Sequence, residues 1–157
     1  MCRTLVQLSC AATRNSVALR YPFREIRVPA GPLVAIVDDD KSIRDTTKDL
    51  LESAGFTAAV FASAASLLKS RRLSRVACLI ADMRIPKMTG LELHQHLVAT
   101  NRAIPTILMT AYPDERTQAR AMKANIVCCL AKPFAADELL ACVRDALRRS
   151  ADLSPTS

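Results

Sequence analysis

The chain has no tryptophan, and aromatic residues make up only 4% of its 157 residues. It lacks a segment in which basic and aromatic side chains alternate, and its helical patterns leave no unassigned helix-turn-helix. The formal net charge is +7, but residues 1–32 alone contribute +4, because five arginines there accompany a single glutamate. We interpret the charge as a solvated basic surface and predict no direct nucleic-acid binding by this chain.

Long apolar runs are also missing. None approaches the roughly 20 residues that a membrane-spanning helix requires, so we predict no membrane span. Residues 5–12 are too few and too polar for the apolar part of a secretory signal, which favours a cytoplasmic protein. The six cysteines include no CxxC spacing, and most of them lie in apolar runs. This pattern favours buried, reduced thiols over disulfides or zinc ligands.

What the chain does have is apolar content: half of its residues are hydrophobic, which suits one domain with an ordinary core. Four apolar runs end abruptly in polar residues, as buried strands do when they deliver side chains to the carboxyl edge of a parallel sheet. These runs are residues 33–37 before Asp38-Asp39-Asp40, 78–81 before Asp82, 105–109 before Thr110, and 126–130 shortly before Lys132.

Helical patterns alternate with the strands. The first helix begins at Asp40 or Ser42 and ends at Gly55, a second strand follows at residues 57–61, and a short helix runs from Ser63 to about residue 72. Further helices are predicted at residues 90–99, 114–123 and about 135–149. The alternation predicts an α/β fold: a doubly wound, five-stranded parallel sheet of order 2-1-3-4-5 in a flavodoxin-like three-layer sandwich. A ligand is expected between the ends of strands one and three.

The domain boundaries follow from the same pattern. Residues 1–32 have no sustained period and end in a proline- and glycine-bearing segment, so we expect a disordered or irregular extension. Residues 33–149 form the predicted domain, and residues 150–157 a polar tail.

The polar residues at the strand ends suit phosphoryl chemistry. Clustered carboxylates attract a cation, and hard oxygen ligands suit Mg²⁺. A carboxylate can itself be the nucleophile that forms an aspartyl-phosphate. A lysine and a hydroxyl can bind the phosphoryl oxygens, since phosphoryl transfer depends mainly on positioning and charge neutralisation. Asp82, Asp38, Asp39, Thr110 and Lys132 supply each of these parts.

Residues 33–149 resemble the receiver domain of two-component response regulators. The resemblance rests on four motifs at receiver-like spacing: Val37-Asp38-Asp39-Asp40, Asp82-x-Arg84-Ile85-Pro86-x-Met88-x-Gly90, Met109-Thr110-Ala111 and Lys132-Pro133-Phe134. It is closest to receivers attached to helix-turn-helix output domains. We therefore expect either a stand-alone regulator or an effector domain outside this chain.

The resemblance implies a role for each site residue. Asp82 would be the phosphoacceptor, and Asp38, Asp39, Asp82 and the backbone carbonyl of Arg84 would hold Mg²⁺ or Mn²⁺. Lys132 would contact the phosphoryl group and Thr110 would be the switch hydroxyl. Ala111, Tyr112, Arg84 and Cys129 occupy positions that resemble switch or tuning positions.

The resemblance also implies the function. A sensor histidine kinase or a phosphotransfer protein would phosphorylate Asp82, and the domain would catalyse only its own phosphorylation and dephosphorylation. The face formed by helix 4, strand 5 and helix 5 would then change its affinity for a partner, which includes a second copy in a homodimer. Transcription regulation is the expected outcome of the signal.

Some residues depart from the family pattern. Cys129 stands where an aromatic residue is usual, three positions before Lys132, and Cys128 stands where an acid is frequent. Lys87 and Asn125 occupy positions that often hold glycine. We therefore predict intact phosphorylation chemistry with altered coupling to the output face.

Other interpretations stay open. A receiver that signals by contact without phosphorylation is one. A haloacid-dehalogenase-like phosphatase is another, with Asp38 as nucleophile and Asp40 as general acid, although Ser42 departs from that signature. Each motif alone also has a structural explanation as a helix cap or a turn, and only their joint placement favours a site. His94 and His96 lie on different faces of a helix and are predicted to be solvated.

Overall fold

The computed structural model describes residues 31–153. Within this range five parallel strands form one sheet in the order β2-β1-β3-β4-β5. The strands are β1 (Leu33–Val37), β2 (Thr57–Phe61), β3 (Val76–Asp82), β4 (Thr106–Thr110) and β5 (Cys128–Ala131). The predicted fold class and strand order are confirmed.

Helices alternate with the strands. They are α1 (Lys41–Ser53), α2 (Ala64–Leu68), α3 (Gly90–Ala99), α4 (Glu115–Lys123) and α5 (Ala136–Leu153), and a short 3₁₀ helix spans Arg71–Arg75. Asp40 is the N-cap of α1, with its carboxylate accepting from the amides of Ser42 and Ile43. Gly55 follows this helix with a φ of 95°, a conformation that suits glycine.

Two helix predictions need correction. The second helix is not continuous to residue 72, because it ends at Leu68 and the 3₁₀ helix follows. The last helix does not end at 149 but continues to Leu153, so residues 150–153 are its final turn rather than part of a tail. No glycine or proline interrupts the chain before Pro155, which explains the continuation. The predicted extension at 1–32 lies almost wholly outside the described residues, as do residues 154–157.

The sheet has a buried hydrophobic layer on each side. One layer joins Leu33, Ala35 and Val37 to inward side chains of α2, α3 and α4. The other joins Val34 and Ile36 to those of α1 and α5. Successive side chains of β1 therefore pack into opposite layers, because side chains alternate between the two faces of a strand. We call the second layer, between the sheet and helices α1 and α5, the α1/α5 core.

The prediction that His94 is solvated was wrong, because its side chain is buried. It lies on the inward face of α3 and is only 5% exposed. Its Nδ1 is 2.8 Å from Oγ1 of Thr106, and its Nε2 is 2.9 Å from the carbonyl of Ala124. His96 is exposed, as predicted. Helical spacing placed the two histidine rings on different faces of α3 but did not show which face is buried.

The cysteines also differ from the prediction. Cys128 on β5 and Cys142 on α5 form a disulfide, with Cα atoms 6.1 Å apart. Cys78 is a buried free thiol and Cys129 a half-buried one, as predicted. The prediction was wrong for the pair because only the packing of α5 against β5 brings these two residues together. Cys2 and Cys10 lie outside the described residues.

Two of the family departures keep the backbone conformation of a glycine. Lys87 has a φ of 73° and Asn125 a φ of 62°. This left-handed region is where glycine is favoured, and asparagine tolerates it better than lysine does. Both chain positions thus keep a glycine-like conformation without glycine.

Among the described residues, no helix is both long and apolar enough to cross a membrane.

Candidate phosphoryl-acceptor site

Four strands end at one edge of the sheet and bring the predicted site residues together. Asp38 and Asp39 follow β1, Asp82 ends β3, Thr110 ends β4, and Lys132 follows β5. Carboxylate oxygens of Asp38, Asp39 and Asp82 all lie within 4.8 Å of one another. The cluster sits where β1 pairs with both β2 and β3, at the point where ligands bind in open α/β sheets.

Both carboxylate oxygens of Asp82 have a polar partner. Its Oδ1 lies 2.7 Å from Nζ of Lys132, and its Oδ2 accepts a 3.2 Å hydrogen bond from the amide of Arg84. The residue is 8% exposed, so little of the carboxylate is open to solvent. A carboxylate held in one orientation beside a cation could attack a phosphorus atom.

Asp38 is the most deeply buried of the three acids, at 1% exposed. Its Oδ1 accepts from the amide of Asp40 at 2.8 Å, and its Oδ2 lies 3.2 Å from Nζ of Lys132. Burial raises the pKa of this carboxyl, and the neighbouring Asp82 charge acts in the same direction. The Asp40 amide and the Lys132 ammonium oppose that rise. A cation beside these acids would favour the ionised form.

Lys132 connects the two buried acids. Burial alone would lower the pKa of its ammonium group, but hydrogen bonds and charges from Asp82 and Asp38 prevail and raise the pKa. Its backbone amide donates to the carbonyl of Thr110 at 2.8 Å, which continues the β4–β5 pairing past the last strand residue. The peptide bond to Pro133 is cis. Because these acids raise its pKa, the Lys132 side chain is a cation at neutral pH.

The hydroxyl of Thr110 lies at the same edge. The residue is 4% exposed, and its Oγ1 accepts a 3.1 Å hydrogen bond from the amide of Tyr112. Tyr112 is 62% exposed, and the guanidinium of Arg84 lies 4.7 Å from the centroid of its ring. This contact joins the loop after β3 to the loop after β4. Ala111, between the two, is exposed.

Cys129 lies apart from the acid cluster. It pairs in register with Leu108 and packs, half-buried, against the hydrophobic layer on the α3 and α4 side of the sheet. Its side chain therefore lies on the same face of the sheet as the inward side chains of α3 and α4.

Two residues that shape the site were not predicted from the sequence. The guanidinium of Arg44, one turn into α1, donates to the carbonyl of Asp38 at 2.8 Å. Gly90 starts α3, and a Cβ added there would lie 2.6 Å from the carbonyl oxygen of Asp82. Gly90 belonged to a recognised motif, but its contact was not apparent. No sequence signal distinguished Arg44 from other helix-surface arginines.

The donor set fits a hard divalent cation. Three carboxylates converge there, and Mg²⁺ is commonly held by one or two carboxylates together with waters and phosphate oxygens. Asp40 does not join the set, because its carboxylate caps α1. This argues against Asp40 as the general acid of a phosphatase.

Comparison with known proteins agrees with this geometry. The family model described as response regulator receiver domain matches residues 34–144. The C4-dicarboxylate transport transcriptional regulatory protein DctD of Rhizobium meliloti is 37% identical over 117 residues, covering 74% of this chain and 25% of DctD. The transcriptional regulatory protein FixJ of Bradyrhizobium diazoefficiens is 33% identical over 117 residues, covering 74% of this chain and 57% of FixJ.

Solved structures agree as well. The structure of response regulator StyR superposes with a TM-score of 0.72 at 40% identity, covering 77% of this chain and 61% of that one. The match thus spans only part of the length of these relatives. The family match, the strand order and the acid cluster together lead to one conclusion: the chain belongs to the response regulator receiver domain family of two-component systems.

Proposed function

We propose that Asp82 accepts a phosphoryl group, with Mg²⁺ or Mn²⁺ held by Asp38, Asp39, Asp82 and the carbonyl of Arg84. The observation that carries this proposal is the placement of one ammonium group, that of Lys132, against both Asp82 and Asp38. An ammonium that already balances two acids can transfer its contact to an incoming phosphoryl oxygen. When bound, the metal ion would neutralise charge on the acids and on the phosphoryl oxygens.

The chemistry of the step is a phosphoryl transfer. A carboxylate oxygen of Asp82 forms the new O–P bond while the P–N bond to a histidine of the donor breaks. Lys132 holds the equatorial oxygens, and the buried position of Asp82 limits the access of water to the acyl phosphate. The domain thereby catalyses its own modification and the later hydrolysis, rather than turning over an external substrate.

The donor is a sensor histidine kinase or a phosphotransfer protein in a cytoplasmic phosphorelay. Beside the site, an apolar cleft of about 610 Å³ runs between α1 and the loop after β5, with Ile43, Leu50 and Phe134 in its lining. This cleft reaches Lys132, so a helix of the donor seated there would stand next to Asp82.

The response to phosphorylation is a shift at Thr110. Its hydroxyl would donate to the phosphoryl group, drawing β4 and the start of α4 inward and altering the face of α4, β5 and α5. That face would bind an output partner or a second copy of the chain, with transcription as the process controlled. Arg84 and Tyr112, whose side chains stack on each other, would tune the lifetime of the phosphoryl group. Cys129 in place of an aromatic side chain would weaken the coupling.

The test is the intact mass of the protein after incubation with Mg²⁺ and acetyl phosphate. We expect one phosphoryl adduct in the wild type, none in Asp82→Asn, and a strongly reduced amount in Asp38→Asn. The matched control is Asp40→Asn, which removes a neighbouring acid that caps α1 and is expected to keep the adduct. An adduct that survives in Asp82→Asn would place the nucleophile elsewhere, and no adduct in any protein would favour a receiver that signals by contact alone.

A further inference from the structure

The disulfide between Cys128 and Cys142 closes a ring of chain that contains Lys132. We propose that these two cysteines form a reversible thiol–disulfide site, oxidised by low-molecular-weight disulfides, whose closed form restrains the Lys132 loop and slows phosphorylation of Asp82. The effect on phosphorylation rests on the function proposed above, whereas the redox site itself does not.

The positions of the two cysteines allow them to pair in the folded protein. Cys128 is the first residue of β5, the strand at the edge of the sheet, and Cys142 lies on the face of α5 that packs against the sheet. Their Cα atoms are 6.1 Å apart, inside the range of about 4.4–6.8 Å that disulfides require. Both side chains are half-buried against the α1/α5 core, so a small reagent can reach them at the sheet edge.

The other described thiols do not compete for this pairing. Cys129 adjoins Cys128 in the chain but packs against the opposite hydrophobic layer, so the sheet separates it from Cys142. Cys78 is buried, and burial raises its pKa to about 12. Burial also raises the pKa of the Cys129 thiol. Because the thiolate is the reactive form, both are poor nucleophiles.

The ring joins the redox pair to the acid cluster. Residues 128–142 include the whole of β5, Lys132 and the first turns of α5. Inside this ring the Lys132 amide donates to Thr110, and the Lys132 ammonium contacts Asp82. To receive a phosphoryl group, the ammonium must move its contact from the Asp82 oxygen to the incoming oxygens. A cross-link from the start of β5 to α5 closes the ring that contains this loop and opposes that movement.

In the reducing cytoplasm, this disulfide would form and break reversibly rather than remain as a permanent cross-link. In a cytoplasmic protein, small thiols keep cysteines reduced, and the disulfides that do form are usually transient or redox-sensing. One cysteine thiolate attacks the small disulfide and expels a thiolate, giving a mixed disulfide. The second cysteine thiolate attacks that bond, forms the Cys128–Cys142 bond and releases the second small thiolate. The two cysteine sulfurs are oxidised by two electrons, the small disulfide is reduced to two thiols, and these take up the two protons released.

The experiment compares the full chain, first fully reduced and then treated with oxidised glutathione under native conditions. We expect the mass to fall by two hydrogens and peptide mapping to recover a 128–142 cross-link. Cys142→Ser should abolish this cross-link, and the matched control Cys129→Ser should retain it. Amide exchange in residues 130–136 should slow by about fivefold or more on oxidation. Adduct formation at Asp82 with acetyl phosphate should slow by about twofold or more in the wild type and not in Cys142→Ser.

Several results would overturn the proposal. They are a cross-link that forms only in urea, glutathione adducts without the 128–142 bond, unchanged amide exchange in the ring, or equal phosphorylation rates in the oxidised and reduced protein. Absence of any adduct at Asp82 in the reduced wild type is a different result. It would remove the proposed phosphoryl function while leaving the cross-link and exchange measurements to test the redox site.

Discussion

The ammonium nitrogen of Lys132 lies 2.7 Å from Oδ1 of Asp82, and the same nitrogen lies 3.2 Å from Oδ2 of Asp38. One cation thus balances two acids whose carboxylates would otherwise face each other across a crevice. The lysine comes from the loop after β5 and the acids from the ends of β1 and β3, so the contact depends on the whole sheet.

Replacing this cation is expected to affect both stability and chemistry. In Lys132→Met the two acids lose their counter-charge, and we expect the free energy of unfolding to fall by about 1–3 kcal/mol at neutral pH without Mg²⁺. Adduct formation from acetyl phosphate should fall about a hundredfold, because a charge that stabilises the transferring group is gone. Urea denaturation and intact-mass kinetics measure the two effects.

The control for Lys132 is Lys123→Met, which removes an exposed lysine from the last turn of α4. It should change stability by less than about 0.5 kcal/mol and leave adduct formation as in the wild type. Wild-type phosphorylation rates in Lys132→Met would contradict the role given to the ammonium group.

Gly90 is expected to tolerate no side chain. A Cβ at this position would lie 2.6 Å from the carbonyl oxygen of Asp82 and 3.0 Å from a methyl of Leu108, so the end of β3 or the start of α3 must shift. For Gly90→Ala we expect a loss of about 1–3 kcal/mol in the free energy of unfolding, together with slower phosphorylation, because the displaced backbone carries Asp82, the proposed phosphoacceptor.

Gly55→Ala separates these two consequences. Gly55 has open space around its Cα but a φ of 95°, so alanine there costs stability through backbone strain, on the order of 1 kcal/mol. Gly55 precedes β2, at the opposite edge of the sheet from the acid cluster, so we expect Gly55→Ala to phosphorylate at the wild-type rate. If Gly90→Ala lost stability but phosphorylated at the wild-type rate, the contact with Asp82 would not matter to the reaction.

Lys87 offers a stabilising substitution. Its φ of 73° is unfavourable for a lysine by roughly 1–2 kcal/mol, whereas glycine adopts it freely and loses about 0.5–1 kcal/mol through the entropy of the unfolded chain. We expect Lys87→Gly to raise the free energy of unfolding by about 0.5–1 kcal/mol, read as a higher urea midpoint at constant slope. Asn125→Gly, at a φ of 62°, should change it by less than about 0.5 kcal/mol, because asparagine tolerates this region. Equal gains at both positions would show that side-chain identity is irrelevant there.

Because the imidazole of His94 is buried, we predict that the free energy of unfolding depends on pH. Burial lowers the pKa of its imidazole, and the hydrogen bond to the carbonyl of Ala124 opposes this only partly. The unfolded chain therefore binds a proton more readily, at a pKa of about 6.5, than the folded protein does. The contribution of the neutral ring is fully present above that value and is lost as the pH falls toward the lower folded pKa.

The measurement is urea denaturation at pH 7.5 and at pH 5.5, above the range where carboxyl groups titrate most strongly. The wild type should be less stable at the lower pH. His94→Gln should lose most of this difference, and His96→Gln, which changes an exposed ring on the same helix, should keep it. An identical pH dependence in His94→Gln and the wild type would show that another group titrates.

The sequence alone determined the fold class, the strand order and the residues at the carboxyl edge. It could do so because parallel strands are continuous apolar runs, and each run ended at an acid, a hydroxyl or a position just before a lysine. The helix caps at Asp40 and Gly55 followed from local backbone chemistry. Such signals lie within a few residues of one another, so no tertiary contact is needed to read them.

Tertiary structure decided the rest, because these features depend on residues distant in the chain. His94 is buried only because the start of β4 and the end of α4 come to its ring. Cys128 and Cys142 meet only because α5 packs back onto β5. The contact of Gly90 with Asp82 and that of Arg44 with Asp38 depend on how a loop and a helix return to the sheet edge. Periodicity shows which residues share one face of a helix or strand. Which residues from distant parts of the chain contact that face is decided only by tertiary packing.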